Sequence, residues 1–305
     1  MTRGRSASLE APGKVNLVLR VLGRRSDGYH EIATLFQAID LCDNVRVSVD
    51  PDASGVDLAL EGPDLGPLEE NLAYRAAERF CDRYGVEAGV RIELLKRIPA
   101  GGGLGGGSSD AAAVLRLLSA LTGHGEGLQA LAADLGSDVP FFVAGSATSL
   151  GAGRGELLTA LPALPEKDVV LALPPVHVST AWAYGRLAEV RAAVGSRDRD
   201  PGGDEALPAG AAAMFADWDG VLREAVNDFQ PLVSEAFPEV ARSLEGLRES
   251  GAALAMLSGS GGACFGVFDE AARAEAIAAE LTGELGWPFL ATRTLRAPPE
   301  PRSTD

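Results

Sequence analysis

Apolar and polar residues alternate at Val45, Val47 and Val49, and again at Val56, Leu58 and Leu60 beyond the Ser54-Gly55 pair. A period of two is that of a half-buried strand, so residues 44–60 predict a hairpin or meander. The period then changes. Leu72, Ala76, Phe80 and Tyr84 recur at helical spacing between Asn71, a side chain suited to capping a helix start, and Gly85, a fair stop. Further strands are expected at 15–22, 90–95, 168–173, 253–257, 264–268 and 289–295, with glycine-bearing β structure over 148–161. Helices are expected at 110–122, 128–135, 179–193, 214–225, 231–250 and 270–281.

The second half thus runs strand, helices, strand, strand, helix, strand. That order suits helices packed on one face of an antiparallel sheet, an α+β layout. A soft boundary near residue 165 divides the chain into 1–165 and 166–297. The stretch 195–210, rich in Gly, Asp, Arg and Pro, predicts a mobile surface loop, and the Pro-rich end, 298–305, a disordered tail.

Composition narrows the function. Of 305 residues, 46% are hydrophobic and 23% charged, enough for a packed core without disulfides or a structural metal. The net charge of -16 argues against general binding to nucleic acid or to an anionic membrane, so neither is expected as a partner. An anionic ligand would need a local site made of backbone N–H groups and a few placed cations. Only three lysines occur, Lys14, Lys96 and Lys167, and the first two fall in the segments that matter below. Cys42, Cys81 and Cys264 are scattered, which suits reduced thiols in the cytoplasm. The oligomeric state stays open between monomer and homodimer.

The strongest chemical signal is the run Pro99, Ala100, Gly101, Gly102, Gly103, Leu104, Gly105, Gly106, Gly107, Ser108 and Ser109. Glycines serve the backbone here, since they bring no side chains and let a ligand approach the main chain. A helix expected to begin at Ser108 adds unpaired N–H groups and a positive dipole end, an anion site suited to a di- or triphosphate. Ser108 and Ser109 add hydroxyls able to bond a phosphate oxygen or hold Mg²⁺, or equally to serve as plain caps. No lysine stands where a Walker A loop needs one. A literal GxGxxG occurs at Gly101, Gly103 and Gly106, but Lys96, Arg97, Ile98 and Pro99 intervene after the preceding strand, which disfavours a dinucleotide fold. A nicotinamide-dependent oxidoreductase and a non-catalytic nucleotide-binding regulator are the competing readings.

With the flanking segments in view, the glycine run resembles the central phosphate motif of the GHMP kinases. The segment Ala11, Pro12, Gly13, Lys14, Val15, Asn16 and Leu17 resembles that family's N-terminal motif, and Ser258, Gly259, Ser260, Gly261 and Gly262 its C-terminal one, in the family's order and spacing. The resemblance implies a two-domain α+β kinase with its active site in the cleft between domains and an unusual left-handed βαβ crossover in the N-terminal domain. It implies ATP as phosphoryl donor and Mg²⁺ held mainly by ATP and water. Gly23 to Glu31, Thr34 to Gln37 and Gly136 to Pro140 resemble the branch that acts on a small-molecule alcohol carrying a cytidyl group. A family member acting on mevalonate, homoserine or a sugar is the competing reading, and Asp27-Gly28-Tyr29-His30 argues against it.

Residue roles come over on the same resemblance. Asp138 matches the catalytic base, although a helix cap ahead of Val139-Pro140 is the plainer reading of the residue alone. Lys14 matches the catalytic lysine, whose ammonium would pair with Asp138 and offset charge building on the transferred phosphoryl. Asn71 and Lys96 match adenine-pocket positions, and Asn71 is equally readable as a helix cap. Asn16, Tyr29 and His30 match the cytidine-diphosphate site, with Tyr29 stacking on the base. Thr180 and Tyr184 align with its other side, where ordinary helix packing explains Tyr184 nearly as well. Ser258, Gly259, Ser260 and Gly261 would close over the site with backbone N–H groups. Gly13 stands where relatives carry a small Ala, and Asp110 where Asn is also seen.

Overall fold

The computed structural model describes residues 4–193, 211–269 and 273–304. The loop expected at 195–210 lies outside them. Two long strands dominate the first half. β1 (Arg5–Arg24) and β2 (His30–Asp50) pair antiparallel along almost their whole length, with register shifts at Pro12/Gly13, Asn16/Val18 and Val21/Gly23 that bend the hairpin. The second half of β2 pairs with β4 (Gly89–Leu95), and its first half with β5 (Thr148–Ala152), which pairs in turn with β6 (Leu157–Ala160). β3 (Val56–Glu61) runs parallel to β4. Its connection passes through α1 (Leu72–Tyr84), the arrangement a βαβ crossover requires.

The helices α1, α2 (Gly106–Thr122) and α4 (Val139–Val143) pack on this first sheet, and α3 (Leu128–Leu135) packs against those helices. Asn71 caps α1 by accepting the N–H of Ala73 at 2.9 Å, and Gly85 ends it in the left-handed conformation. Phe80, wholly buried, joins Ala73, Ala76 and Ala77 in a core against Leu115, Leu118 and the β4 side chains Ile92 and Leu94. Each such large apolar side chain contributes about 1.5–3 kcal/mol by leaving water.

The second sheet is antiparallel throughout, in the order β11 (Phe289–Arg293), β7 (Asp168–Ala172), β10 (Cys264–Phe268), β9 (Leu254–Leu257). Alternation along β7 shows how it is sandwiched. Val170 and Ala172 face α5 (Thr180–Ala193), α8 (Gln230–Ala236), α9 (Pro238–Glu249) and α10 (Ala274–Leu285). Val169 and Leu171 face Val15, Leu17 and Ile39 of the long hairpin, together with α6 (Ala211–Met214) and α7 (Trp218–Glu224). The hairpin is therefore the shared wall between the two sheets. β8 (Val226–Asn227) adds a short parallel pairing to β1. Among the described residues no helix is long and apolar enough to cross a membrane.

The α+β expectation holds, with local corrections. Residues 32–39 carry no strand-like alternation because both faces of that stretch are covered. The helix expected at 231–250 is two helices, α8 and α9. Phe237, ahead of Pro238, takes an extended conformation (φ -127°, ψ 95°) that breaks the run. The helix expected at 214–225 is likewise split, with Asp217 capping α7 through the N–H of Gly220 at 2.8 Å. The tail expected to be disordered is ordered to Thr304: β12 (Arg302–Ser303) pairs with β1, and the Thr304 N–H donates to Ser6 O at 3.1 Å.

Candidate active site

A cleft of about 1140 Å³ opens between the glycine run, the β1–β2 hairpin and α5. Every site residue expected from the sequence borders it except Ser109, Ser258 and Gly261.

The glycine run forms its floor. α2 begins at Gly106, two residues earlier than expected, because Gly105 takes the left-handed conformation (φ 73°) at the cap and its carbonyl accepts the Ser109 N–H at 2.9 Å. Ser109 is therefore already inside the helix, buried with Oγ unpartnered, while Ser108 borders the cleft. Gly103 explains why the run cannot carry side chains. Its φ is +77°, and a Cβ there would lie 2.2 Å from Ser258 O. The two glycine segments meet backbone to backbone. Ala263 N–H donates to Gly102 O at 3.2 Å and Ser258 Oγ–H to Gly103 O at 3.0 Å. This contact corrects the expected role of the second segment. The N–H groups of Ser258 and Gly261 are spent within their own turn, on Ala263 O and Ser258 O, so Gly259 and Ser260 are the pair left facing the cleft.

Lys14 stands beside the run. Its backbone N–H donates to Leu104 O at 2.9 Å, tying β1 to the loop. Its buried ammonium donates to Asn16 Oδ1 at 2.7 Å and lies 3.5 Å from Asp138 Oδ2. Asn16 is fixed in turn. Thr34 Oγ1–H donates to Val18 O at 2.7 Å, so the same oxygen accepts from Asn16 Nδ2 at 2.8 Å and leaves Asn16 Oδ1 for Lys14. Asp138 occupies the cap position of α4, yet its carboxylate makes no capping bond there. It faces Lys14 and the cleft instead.

The far end of the cleft is aromatic. The His30 and Tyr184 rings stack at 4.4 Å with an interplanar angle of 21°. Tyr29 is 54% exposed and carries the Arg154 guanidinium 4.8 Å above its ring. Burial, and secondarily the charge of Asp138, pushes the Tyr184 phenol up to about 12, so the ring stays neutral beside that carboxylate. Thr180 Oγ1 and Ser260 Oγ share a hydrogen bond of 3.0 Å, which joins the start of α5 to the second glycine segment. At the opposite end Asn71 and Lys96 border the cleft with Leu65 and Leu72. Asn71 spends Oδ1 on its cap and keeps Nδ2 as a donor. Lys96 is buried between Asp43 and Asp110.

Sequence reasoning gave no role to Arg154 or Asp43, and none to Thr34 beyond its place in the Thr34-Leu35-Phe36-Gln37 segment. Thr34 acts through the β1–β2 register, in which it lies opposite Leu19, and no spacing in the chain announces such a pairing. Arg154 follows β5, in a turn with no motif of its own.

Phosphorylation of a hydroxyl needs an anion site, a carboxylate and a cation in one cleft. Residues 71–146 match the family described as GHMP kinases N terminal domain, and residues 205–286 the one described as GHMP kinases C terminal. The chain belongs to the GHMP kinase family. It is 40% identical over 296 residues to a 4-diphosphocytidyl-2-C-methyl-D-erythritol kinase of Geobacter metallireducens, covering 95% of this chain and 99% of that protein. A Moorella thermoacetica protein of the same name is 43% identical over 292 residues, covering 94% and 99%. A crystal structure of 4-(cytidine 5'-diphospho)-2C-methyl-D-erythritol kinase superposes with a TM-score of 0.73 at 38% identity, covering 94% of this chain and 98% of that one.

Proposed function

We propose that the protein transfers the γ-phosphoryl group of ATP to the 2-hydroxyl of 4-diphosphocytidyl-2-C-methyl-D-erythritol, a step of non-mevalonate isoprenoid precursor synthesis. The observation that carries this reading is the Lys14–Asp138 pair, 3.5 Å apart, set between a side-chain-free phosphate cradle and an aromatic pocket.

A hydroxyl is a weak nucleophile until its proton has somewhere to go, and Asp138 supplies an acceptor. The proton leaves the attacking oxygen for an Asp138 carboxylate oxygen as the O–P bond forms and the bond from the γ-phosphorus to the β,γ-bridging oxygen breaks, releasing ADP. Lys14, held by Asn16, keeps a positive charge where negative charge develops on the equatorial phosphoryl oxygens. The backbone of Gly105 to Ser108 and the start of α2 grip the polyphosphate. Mg²⁺ would come with ATP as part of the co-substrate and would offset the negative charge of the phosphates. Tyr29, His30 and Tyr184 hold the cytosine, and Asn71 Nδ2 donates to the adenine.

A coupled ADP-release assay with a panel of alcohols tests the reading. Turnover is expected with the cytidyl substrate and not with mevalonate, homoserine or galactose. Turnover of mevalonate without turnover of the cytidyl substrate would overturn it.

A further inference from the structure

Three charged side chains with no part in the transfer step meet beneath the start of α2. The Lys96 ammonium is bonded to Asp43 Oδ2 and lies 2.7 Å from Asp110 Oδ2, and all three side chains are buried. Asp43 is fully engaged, since its Oδ1 accepts the backbone N–H groups of Arg97 and Ile98, which lead into the glycine run. Asp110 is not. It borders the cleft, yet its Oδ1 is buried without a hydrogen-bond partner. A Cβ built on Gly106, the first residue of α2, would lie 3.2 Å from Lys96 Nζ, so the cluster sits directly under the backbone that faces the polyphosphate.

With both carboxylates ionised, two negative charges face one positive charge at the base of an anion site. Bringing in a polyphosphate adds like charge in a low-dielectric setting and favours the neutral form of whichever carboxyl can take a proton. Asp43 has no free oxygen, and Asp110 has one. Resting on the nucleotide reading above, we propose that Asp110 is a proton-linked positioning residue of the ATP site, taking up a proton from solvent as the polyphosphate binds so that the Asp43–Lys96–Asp110 cluster becomes neutral. The O–H bond forms at Oδ1, the buffer loses the proton, and no other bond changes.

The surroundings of Asp110 support this assignment. The charged groups that face it are Lys96, from the segment after β4, and Asp43, from β2. From β1, Lys14 reaches Gly105 at the cap of α2 and is paired with Asp138 and Asn16. α1 and α4 turn apolar side chains to α2, among them Ala73, Ala77, Phe141 and Phe142. Burial raises the Asp110 carboxyl to about 7, with Lys96 pulling it down and Asp43 pushing it up, so the exchange falls near neutral pH.

Calorimetric titration with Mg²⁺ and a non-hydrolysable ATP analogue, repeated in buffers of different ionisation enthalpy at pH 7, 8 and 9, tests the proposal. The wild-type protein is expected to take up roughly half a proton per nucleotide near pH 8, and its affinity to fall by up to about tenfold per pH unit above that. Asp110→Asn is expected to exchange almost none and to bind with little dependence on pH. Binding by the wild type without proton uptake at all three pH values overturns the proposal, as does equal uptake by the variant. If the variant does not fold, the wild-type series still decides: uptake rising through this range supports the proposal and its absence overturns it. Failure of the nucleotide to bind at all removes the ATP reading as well, whereas binding without proton exchange removes only this inference.

Discussion

The Lys14 ammonium lies 3.5 Å from the Asp138 carboxylate, the first side chain 4% exposed and the second 32%. The asymmetry matters for chemistry. Lys14 is held where it cannot wander, while Asp138 remains open to an incoming hydroxyl. Asp138→Asn keeps the shape and removes the proton acceptor. It is expected to lower kcat by about 10²–10⁴-fold, the usual worth of a general base, with nucleotide affinity within about twofold of wild type. Steady-state kinetics with calorimetric ATP binding checks this. Near-normal kcat would remove Asp138 from the role of base.

Lys14 is only as well placed as Asn16, and Asn16 only as well placed as Thr34. Asn16→Ala removes the acceptor 2.7 Å from the ammonium and leaves Thr34 Oγ1 without its donor. Since misplacement of a catalytic group by about 1 Å costs on the order of 10²-fold, kcat should fall by about 10–100-fold while the KM for ATP stays nearly constant. Thr34→Val should show the same pattern more weakly. A rise in the ATP KM alone would contradict the relay and place Asn16 in nucleotide binding.

Two glycine-to-alanine substitutions should behave oppositely. At Gly103 a Cβ would meet Ser258 O at 2.2 Å in a conformation with φ +77°. The conformational cost alone is about 1–2 kcal/mol, and the clash pries the two glycine segments apart. Gly103→Ala should lower Tm by several degrees and raise the ATP KM at least about tenfold. At Gly13 a Cβ meets Ile39 and Leu41 at 3.4 Å, an ordinary contact, and φ is not in the left-handed region. Gly13→Ala should keep full activity and leave stability within about 1 kcal/mol. Thermal melts and ATP kinetics on both variants check the pair, and a Gly103→Ala protein with native ATP affinity would sink the argument.

Tyr29 offers an exposed ring at the cleft mouth, with Arg154 against it. Stacking on a base is worth about 1–3 kcal/mol, so Tyr29→Ala should raise the KM for the cytidyl substrate roughly 5–150-fold with kcat little changed. An unchanged KM would place the cytosine elsewhere.

The parts of the fold and site that the chain announces are those with a local period or a composition that only backbone can explain. α1 was legible from Leu72, Ala76, Phe80 and Tyr84 and from its two caps, because one face is buried and both ends are marked. The glycine run was legible as an anion site. The first half of β2 was not, since residues 33–39 are covered on both sides and show no alternation. Pro238 is the only mark the chain carries of the α8–α9 break. The Asp43–Lys96–Asp110 cluster joins β2, the segment after β4 and α2, and the family resemblance suggested for Lys96 an adenine contact without showing the buried ion pair. The tail at 298–304 looked too rich in proline for order, yet β1 offers an open edge and two residues suffice to pair with it.

The most direct test is a crystal structure with a non-hydrolysable ATP analogue and the cytidyl substrate bound together, in which the distance from the Asp138 carboxylate to the acceptor hydroxyl is measured. The account predicts about 2.6–3.2 Å, with the γ-phosphate over Gly105 to Ser108 and Lys14 against its oxygens. A hydroxyl directed away from Asp138, or polyphosphate seated anywhere but on the glycine run, would contradict it.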